Sequence, residues 1–337
     1  MESTTSISLY LDLLKKSLTF LLYAPTFLDI QENEQPKIIR PSDSHLSRRI
    51  DGRDWPGIAD TMIGLHRLNN LQYCLEQVLA SRVPGDIIEC GVWRGGAAIF
   101  LRGLLKAHGV TDRRVWLADS FRGLPAPNAD QYPADREMTL HLARYLAVPL
   151  EQVRTNFSRY GLLDDQVRFV EGWFRDTLPA LSEQTWSLMR LDGDMYESTM
   201  DALVNLYPNL SPGGFVIIDD YADIPACRQA VHDFRERYGI SEEIQLIDWS
   251  GAFWQKGESQ LLVTIRHQQM QLQQLRSELE LSRKEASHSE EILKVITHSA
   301  SWHTLQRWRT LRNRLIPSGS YLRRFYDRLL GASHPTD

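Results

Sequence analysis

The chain is poor in cysteine and has no long apolar run. Its three cysteines, Cys74, Cys90 and Cys227, do not have the spacing of a metal site, and a disulfide framework is not expected at this size. So few cysteines are typical of a reducing cytoplasm. The longest apolar cluster near the N-terminus, Leu18–Tyr23, is too short to span a bilayer and lacks a signal-peptide cleavage pattern. The sequence therefore predicts a cytoplasmic protein.

An excess of basic residues is also absent, as are internal repeats. The net charge of the 337 residues is −5, which argues against a general nucleic-acid binder because such proteins are usually basic. The length is sufficient for one complete α/β core with residues to spare. We therefore expect no nucleic-acid partner.

Short apolar runs alternate with helical patterns through the middle of the chain, which predicts a parallel sheet covered by helices on both faces. The five runs that we interpret as strands are Asp86–Cys90, Val115–Ala118, Val167–Val170, Leu188–Leu191 and Phe215–Ile218. Two more runs, Ile244–Ile247 and Leu261–Ile265, are joined without a helical pattern, so we expect them to pair antiparallel. The predicted fold class is α/β, a doubly wound Rossmann-like sheet of five parallel strands plus an antiparallel terminal pair.

The regions around this sheet suggest three parts, residues 1–60, 61–266 and 267–337. In the first part, a helical pattern over Tyr10–Tyr23 predicts either a helix packed on the main domain or a lid or dimer element. Residues 31–60 are polar and punctuated by proline and glycine, so they predict a loop. The second part opens with a helix predicted over Asp60–Leu79.

The third part, residues 267–337, has a different composition. An approximate heptad track predicts a weak coiled coil or a long surface helix. The segment Trp302–Leu330 then carries seven arginines against one acid, Asp327, with aromatic and leucine side chains interleaved. Such a segment is typical of contact with an anionic membrane surface or a partner protein, and helices that close a homo-oligomer are the alternative.

A glycine-rich turn follows the first predicted strand. Glu89 ends the strand, Gly91 and the pair Gly95–Gly96 follow, and an apolar helical stretch comes next. A strand, a glycine turn and a helix together direct backbone N–H groups at a ligand. The spacing differs from the Gly-x-Gly-x-x-Gly fingerprint, which disfavours a nicotinamide cofactor.

Acidic residues stand at the ends of the predicted strands, where ligands bind in open α/β sheets. Asp119 ends the second strand, where nucleotide folds place an acid on a ribose hydroxyl, and an N-cap with Ser120 is the alternative. Asp192, Asp219 and Asp220 would repel one another at neighbouring strand ends unless a cation lies among them. Because carboxylate oxygens suit Mg²⁺, the three predict a magnesium site. The alternative is that Asp219 and Asp220 cap a helix and that Asp192 lies in a solvated loop.

The combined motifs resemble the macrocin O-methyltransferase family, over residues 8 to 266 approximately. They include Glu89-x-Gly91-x-x-x-Gly95-Gly96, Trp116-Leu117-Ala118-Asp119-Ser120, Glu171-Gly172-Trp173-Phe174, Leu191-Asp192-Gly193-Asp194 and Asp219-Asp220-Tyr221. The resemblance implies a sugar O-methyltransferase that uses S-adenosylmethionine and Mg²⁺. The tail departs from the family pattern, so the sugar of a glycan or glycolipid is as plausible a substrate as that of a natural product.

The resemblance also implies roles for individual residues. The implied cofactor contacts are Met62, Glu89, Gly91, Gly95, Asp119, Ser120, Gly172 and Trp173. The implied metal ligands are Asp192, Asp219 and Asp220, and the implied base is Asp192 first and Asp194 second. Pro125–Leu140 would be a mobile cover over the substrate. The alternative function is a catalytically silent scaffold, which the retained acids argue against.

Overall fold

A computed structural model describes residues 5–23, 27–29, 37–39, 43–257 and 260–329. At 27–29, 37–39, 43–44, 260–270, 326 and 329 it describes the backbone alone. The chain divides into two compact units, Met1–Arg266 and His267–Asp337. Among the described helices, none combines the length and the apolar character that a bilayer crossing requires.

The first unit is built on a seven-stranded sheet of order β5-β4-β3-β6-β7-β9-β8. Its strands are β3 (Asp86–Cys90), β4 (Val115–Asp119), β5 (Val167–Glu171), β6 (Trp186–Leu191), β7 (Leu210–Ile218), β8 (Gln245–Leu246) and β9 (Ala252–Gln255). The strands from β3 to β7 pair in parallel, whereas β9 pairs antiparallel with both β7 and β8. A separate antiparallel pair joins β1 (Phe27–Asp29) to β2 (Lys37–Ile39). The predicted fold class is confirmed.

Helices cover both faces of this sheet. They are α1 (Ser6–Leu18), α2 (Asp43–Asp51), α3 (Leu65–Ala80), α4 (Gly96–Ala107), α5 (Leu150–Arg159), α6 (Phe174–Thr177), α7 (Tyr196–Leu206) and α8 (Pro225–Tyr238). One buried cluster takes residues from α1, α3, α4 and α5, and the other takes residues from α7 and α8. In the first cluster α1 packs on α4, with Leu11, Leu14 and Leu18 buried. This double coverage buries β6 and most of β3 at the centre of the sheet, and it leaves the carboxyl ends of the parallel strands as the open edge.

Sequence predictions of local structure are wrong for one strand, for part of one loop and, as described in the next paragraph, for the start of one helix. Leu261–Ile265 is not a strand, because a helix begins at Gln260 and continues through it; the last strand is Ala252–Gln255. A short apolar run fits either period, and here the helix-forming residues that follow decide the outcome. Within the loop predicted at 31–60, Asp43–Asp51 is helical and Lys37–Ile39 is strand β2, while 31–36 and 40–42 lie outside the described residues.

The helix predicted from Asp60 begins instead at Leu65. The preceding segment is held in place by a backbone hydrogen bond from Gly96 N to Asp60 O, 2.9 Å. Near the N-terminus, the helix predicted at Tyr10–Tyr23 spans Ser6–Leu18, because Thr5 caps it by accepting from Ser8 N at 3.2 Å.

The second unit is helical where it is described. It contains α10 (Ala300–Leu315) and α11 (Tyr321–Leu329), which follow the 39-residue α9 (Gln260–His298). Ser299 caps α10 by accepting from Trp302 N at 3.1 Å. The coiled coil predicted for α9 stays a prediction.

Candidate active site

The turn after β3 brings two strand ends into direct contact. Gly91 has a φ of +81°, and a Cβ at this position would overlap the backbone carbonyl of Asp192. Gly91 N donates to Ala118 O at 2.9 Å, and Asp192 N donates to Cys90 O at 2.8 Å. Only glycine satisfies both the positive φ and the close approach, so this residue sets the distance between β3 and β6 at their carboxyl ends.

A first cavity opens beside this turn. Its lining includes Met62, Gly91, Asp119, Ser120, Leu124, Gly172, Trp173, Asp192 and Asp194. The buried carboxylate of Asp119 accepts from Val92 N and Phe121 N, each at 2.7 Å. Burial raises the pKa of Asp119, and these two N–H groups oppose that rise. The carboxylate of Asp119 is therefore held in place on the wall of this cavity.

A second cavity of about 420 Å³ lies on the other side of the strand ends. Its volume is within the range of small-molecule sites, about 300–1,000 Å³. Its lining includes Trp55, Met138, Leu140, Trp249 and the acids Asp219, Asp220 and Asp223. The residues that line both cavities are Met62, Trp93, Leu146, Asp192 and Asp194. The two cavities therefore meet at a pair of acids.

Two buried arginines neutralise part of this acidic edge. Arg190 donates to Glu89 Oε1 at 2.6 Å, to Asp192 Oδ2 at 2.9 Å and to Asp219 Oδ1 at 2.6 Å. Arg67 donates to the other oxygen of Asp219, and its Nε donates to Asp248 Oδ2 at 3.1 Å. Burial alone would raise the pKa of Asp219, but the two guanidinium groups outweigh burial and hold the pKa below its usual value.

Two further acids at this edge, Asp194 and Asp220, are half-buried and have no such arginine partner among the described residues. One oxygen each of Asp192, Asp194 and Asp220 can lie within 4.8 Å of the others. Burial and mutual repulsion raise the pKa of Asp194 and of Asp220 well above the usual range, and raise that of Asp192 to about 6. Asp220 Oδ2 is buried and has no hydrogen-bond partner. A set of carboxylate oxygens with an unsatisfied member fits a hard divalent cation such as Mg²⁺.

The backbone is strained at the same edge. Trp93, Phe121 and Asp194 have φ values of +47°, +54° and +55°, and they follow the ends of β3, β4 and β6. Non-glycine residues adopt this region at a cost of about 1–3 kcal/mol and cluster at functional sites. The strain supports the assignment of this edge as the active site.

Comparison with known proteins agrees with the resemblance seen in the sequence. The family model described as macrocin-O-methyltransferase (TylF) matches residues 7–256. The chain belongs to this family. It is therefore an O-methyltransferase, and S-adenosylmethionine is the methyl donor that the family implies.

Named relatives in this macrocin O-methyltransferase family are close in sequence. The chain is 60% identical, over 249 residues, to 8-demethyl-8-(2,3-dimethoxy-alpha-L-rhamnosyl)-tetracenomycin-C 4'-O-methyltransferase of Streptomyces olivaceus, covering 73% of this chain and 92% of that one. It is 51% identical to mycinamicin III 3''-O-methyltransferase of Micromonospora griseorubida, and the match covers 76% of this chain and 99% of that one. The structure of the O-methyltransferase NovP superimposes with a TM-score of 0.68 at 48% identity, covering 75% and 100%.

Six of the eight predicted cofactor residues line the first cavity, and two do not. Glu89 lies in the second cavity's lining, where it accepts from Arg190. Gly95, with φ +85°, faces Val153 of α5 instead of either cavity. The geometry therefore does not support cofactor contact for these two residues. Glu89 is paired with the buried Arg190, and α5 packs against Gly95.

The predicted metal ligands are also separated by the structure. Asp192 and Asp220 lie close together, and the third acid of their cluster is Asp194. Asp219, which was predicted as the third ligand, instead forms ion pairs with Arg67 and Arg190. The metal site was predicted from the repulsion among three acids. Two buried arginines, which were not expected there, remove that repulsion at Asp219. Arg190 had a visible signal, since it is a charged residue inside an otherwise apolar strand.

The predicted cover contributes to both cavities and is tied to the sheet domain by a residue that the sequence analysis missed. Pro125 lines the first cavity, and Met138 and Leu140 line the second. Between them, the fully buried Asp135 accepts from Tyr196 N at 2.7 Å and from Glu197 N at 3.0 Å, at the start of α7. An acid at a helix N-terminus is stabilising. The predicted mobility of this segment stays a prediction.

Proposed function

We propose that this chain transfers a methyl group from S-adenosylmethionine to a sugar hydroxyl of a natural-product glycoside, with Mg²⁺ as an essential ion. The named relatives support the sugar acceptor, since one is named for a rhamnosyl tetracenomycin and another for mycinamicin III. Both are matched over more than nine-tenths of their own length.

One observation carries the proposal. The first cavity, with Gly91, Asp119 and Ser120, suits the nucleoside and methionine parts of the donor, and the second cavity suits the acceptor. The two meet at Asp192 and Asp194. A bound donor and a bound acceptor would therefore have their reacting atoms beside two carboxylates, which is the arrangement that methyl transfer to a hydroxyl requires.

In this arrangement the acids have separate tasks. The hydroxyl oxygen of the acceptor forms the new bond to the methyl carbon as the bond from that carbon to the sulfonium sulfur of the donor breaks, which leaves S-adenosylhomocysteine. The hydroxyl proton passes to a carboxylate. We assign this proton to Asp194, because Asp194 lines both cavities whereas Asp192 accepts from Arg190. Asp192 and Asp220, with Asp194 beside them, would hold Mg²⁺, which when bound lowers the pKa of a nearby hydroxyl.

The test is transfer of labelled methyl from S-adenosylmethionine to a panel of acceptors, with Mg²⁺ and with a chelator. The panel contains a rhamnosylated aromatic polyketide, a macrolide glycoside, and nucleotide-linked and lipid-linked sugars. We expect transfer to a glycoside, loss of transfer with the chelator, and a rate about 10²–10⁴-fold lower for Asp194→Asn. The matched control is Asp165→Asn, which removes an exposed acid and leaves the rate unchanged.

Two results would contradict this proposal. Full activity in the presence of the chelator would remove the ion from the reaction. Full activity of Asp194→Asn, with the proton then passing elsewhere, would remove the assigned base.

A further inference from the structure

The last two helices carry a concentrated positive charge in an otherwise acidic chain. Residues 300–329 contain seven arginines and one acid, whereas the whole chain has a net charge of −5. The one acid, Asp327, is paired with Arg323 at 3.1 Å. Residues 300–329 contain no second acid that could neutralise the other six arginines, so this segment carries a net positive charge.

An apolar stripe runs along α10 between these charges. Leu311 and Leu315 are 60% and 73% exposed, and Trp308, with Arg312 over its ring, lies on the same helical face. At 100° per residue, Arg307 and Arg314 fall on one edge of this face and Arg309 on the other. An apolar stripe with arginines along both edges is the pattern of a helix that lies in a bilayer interface.

The shorter α11 repeats this pattern. Tyr321, Leu322 and Phe325 are 82%, 67% and 60% exposed, and Arg324 and Arg328 lie along one edge of this face. The two helices are linked, since Arg323 Nη1 donates to Asn313 Oδ1 at 2.8 Å. The linked pair therefore offers two amphipathic helices from one unit.

We propose that α10 and α11 dock on an anionic lipid bilayer. The charge complements anionic headgroups, while leucine and aromatic side chains reach the acyl boundary and the arginine stems extend past them to the headgroups. Binding to nucleic acid would use the arginines alone and would leave the exposed apolar stripe unexplained. The proposal is independent of the proposed function, because it concerns residues outside the family match at 7–256.

The experiment measures co-sedimentation of the full chain with vesicles. One set contains phosphatidylglycerol and phosphatidylcholine, and the other contains phosphatidylcholine alone. We expect binding to the first set, little binding to the second, and weaker binding as salt is raised. The triple variant Arg309→Gln, Arg314→Gln, Arg324→Gln should bind about 100-fold more weakly, at about fivefold for each arginine.

A matched control removes three charges from exposed positions of α9, as Arg276→Gln, Arg283→Gln, Lys284→Gln, and should bind like the wild type. A second variant, Leu311→Ser, Leu315→Ser, Phe325→Ser, keeps every charge and should bind the anionic vesicles at least about tenfold more weakly. Unchanged helix content and unchanged S-adenosylmethionine affinity confirm that each variant is folded.

Three outcomes would overturn the proposal. The first is absence of binding to the anionic vesicles. The second is an apolar variant that binds them as tightly as the wild type, because attraction would then be electrostatic alone and duplex DNA would compete equally well. The third is loss of self-association in both variants with no change in vesicle binding, which would assign the surface to a second copy of the chain.

Discussion

Two groups of acids lie at the same edge of the sheet, and they differ in whether an arginine pairs with them. Glu89, Asp219 and Asp248 each accept from a buried arginine. Asp194 and Asp220 form no ion pair with any residue in the described part of the chain, although both lie in the same buried region. Pairing with a buried arginine therefore separates Glu89, Asp219 and Asp248 from Asp194 and Asp220. Asp192 belongs to both groups, since it accepts from Arg190 and also lies in the acid cluster.

The largest expected effect is on the paired group. Replacing Arg190 by methionine leaves Glu89 and Asp219 buried without their shared cation. We expect the free energy of unfolding to fall by about 3–5 kcal/mol, as is usual when one member of a buried ion network is removed. Denaturant titration measures this. A loss under about 1 kcal/mol would show that the pairing is not what distinguishes the two groups.

A smaller effect should separate two adjacent acids. Asp219→Asn removes acceptors from two buried arginines and should lower the free energy of unfolding by about 1–3 kcal/mol. Asp220→Asn removes an acid whose pKa is raised by burial and repulsion. Because a raised pKa in the folded state means that the charged form costs stability at neutral pH, this variant should be at least as stable as the wild type when no metal is present. Denaturant titration in the presence of a chelator measures both effects. Equal destabilisation of the two variants would contradict the claim that arginine pairing distinguishes Asp219 from Asp220.

The smallest effect concerns a pair away from this edge, in which Arg102 is buried and Asp164 is partly exposed. Arg102 donates to Asp164 at 2.6 Å, and this contact lowers the pKa of the carboxyl. A lowered pKa means that the pair stabilises the fold above the unfolded value, about 3.9, and that this stability is lost as pH falls through the folded value. Asp164→Asn should therefore cost about 1 kcal/mol or less at pH 7 and nothing in strong acid. Thermal unfolding across pH checks both limits.

The fold could be predicted where residues alternate clearly between buried strand and covering helix. The predicted strand at Asp86–Cys90 has the observed bounds, and the glycine turn after it is where the first cavity opens. The last strand could not be located, because Leu261–Ile265 and Ala252–Gln255 are both short apolar runs and only the sheet distinguishes them.

The candidate site could be predicted in part for a similar reason. Strand ends meet at one edge of a parallel sheet, so the acids there were expected together. Their partners come from elsewhere in the chain, since Arg67 is on α3 and contacts Asp219 and Asp248 from far away in sequence. A pattern confined to one stretch of sequence cannot show which acid such a residue reaches.

The most direct test of this account is calorimetric titration of Mg²⁺ into the chain in the presence of S-adenosylmethionine. We expect one ion to bind the wild type and Asp165→Asn, and no ion to bind Asp220→Asn. Wild-type chain that binds no ion, or an Asp220→Asn chain that binds it with unchanged affinity, would contradict the claim that the unpaired acids form a cation site.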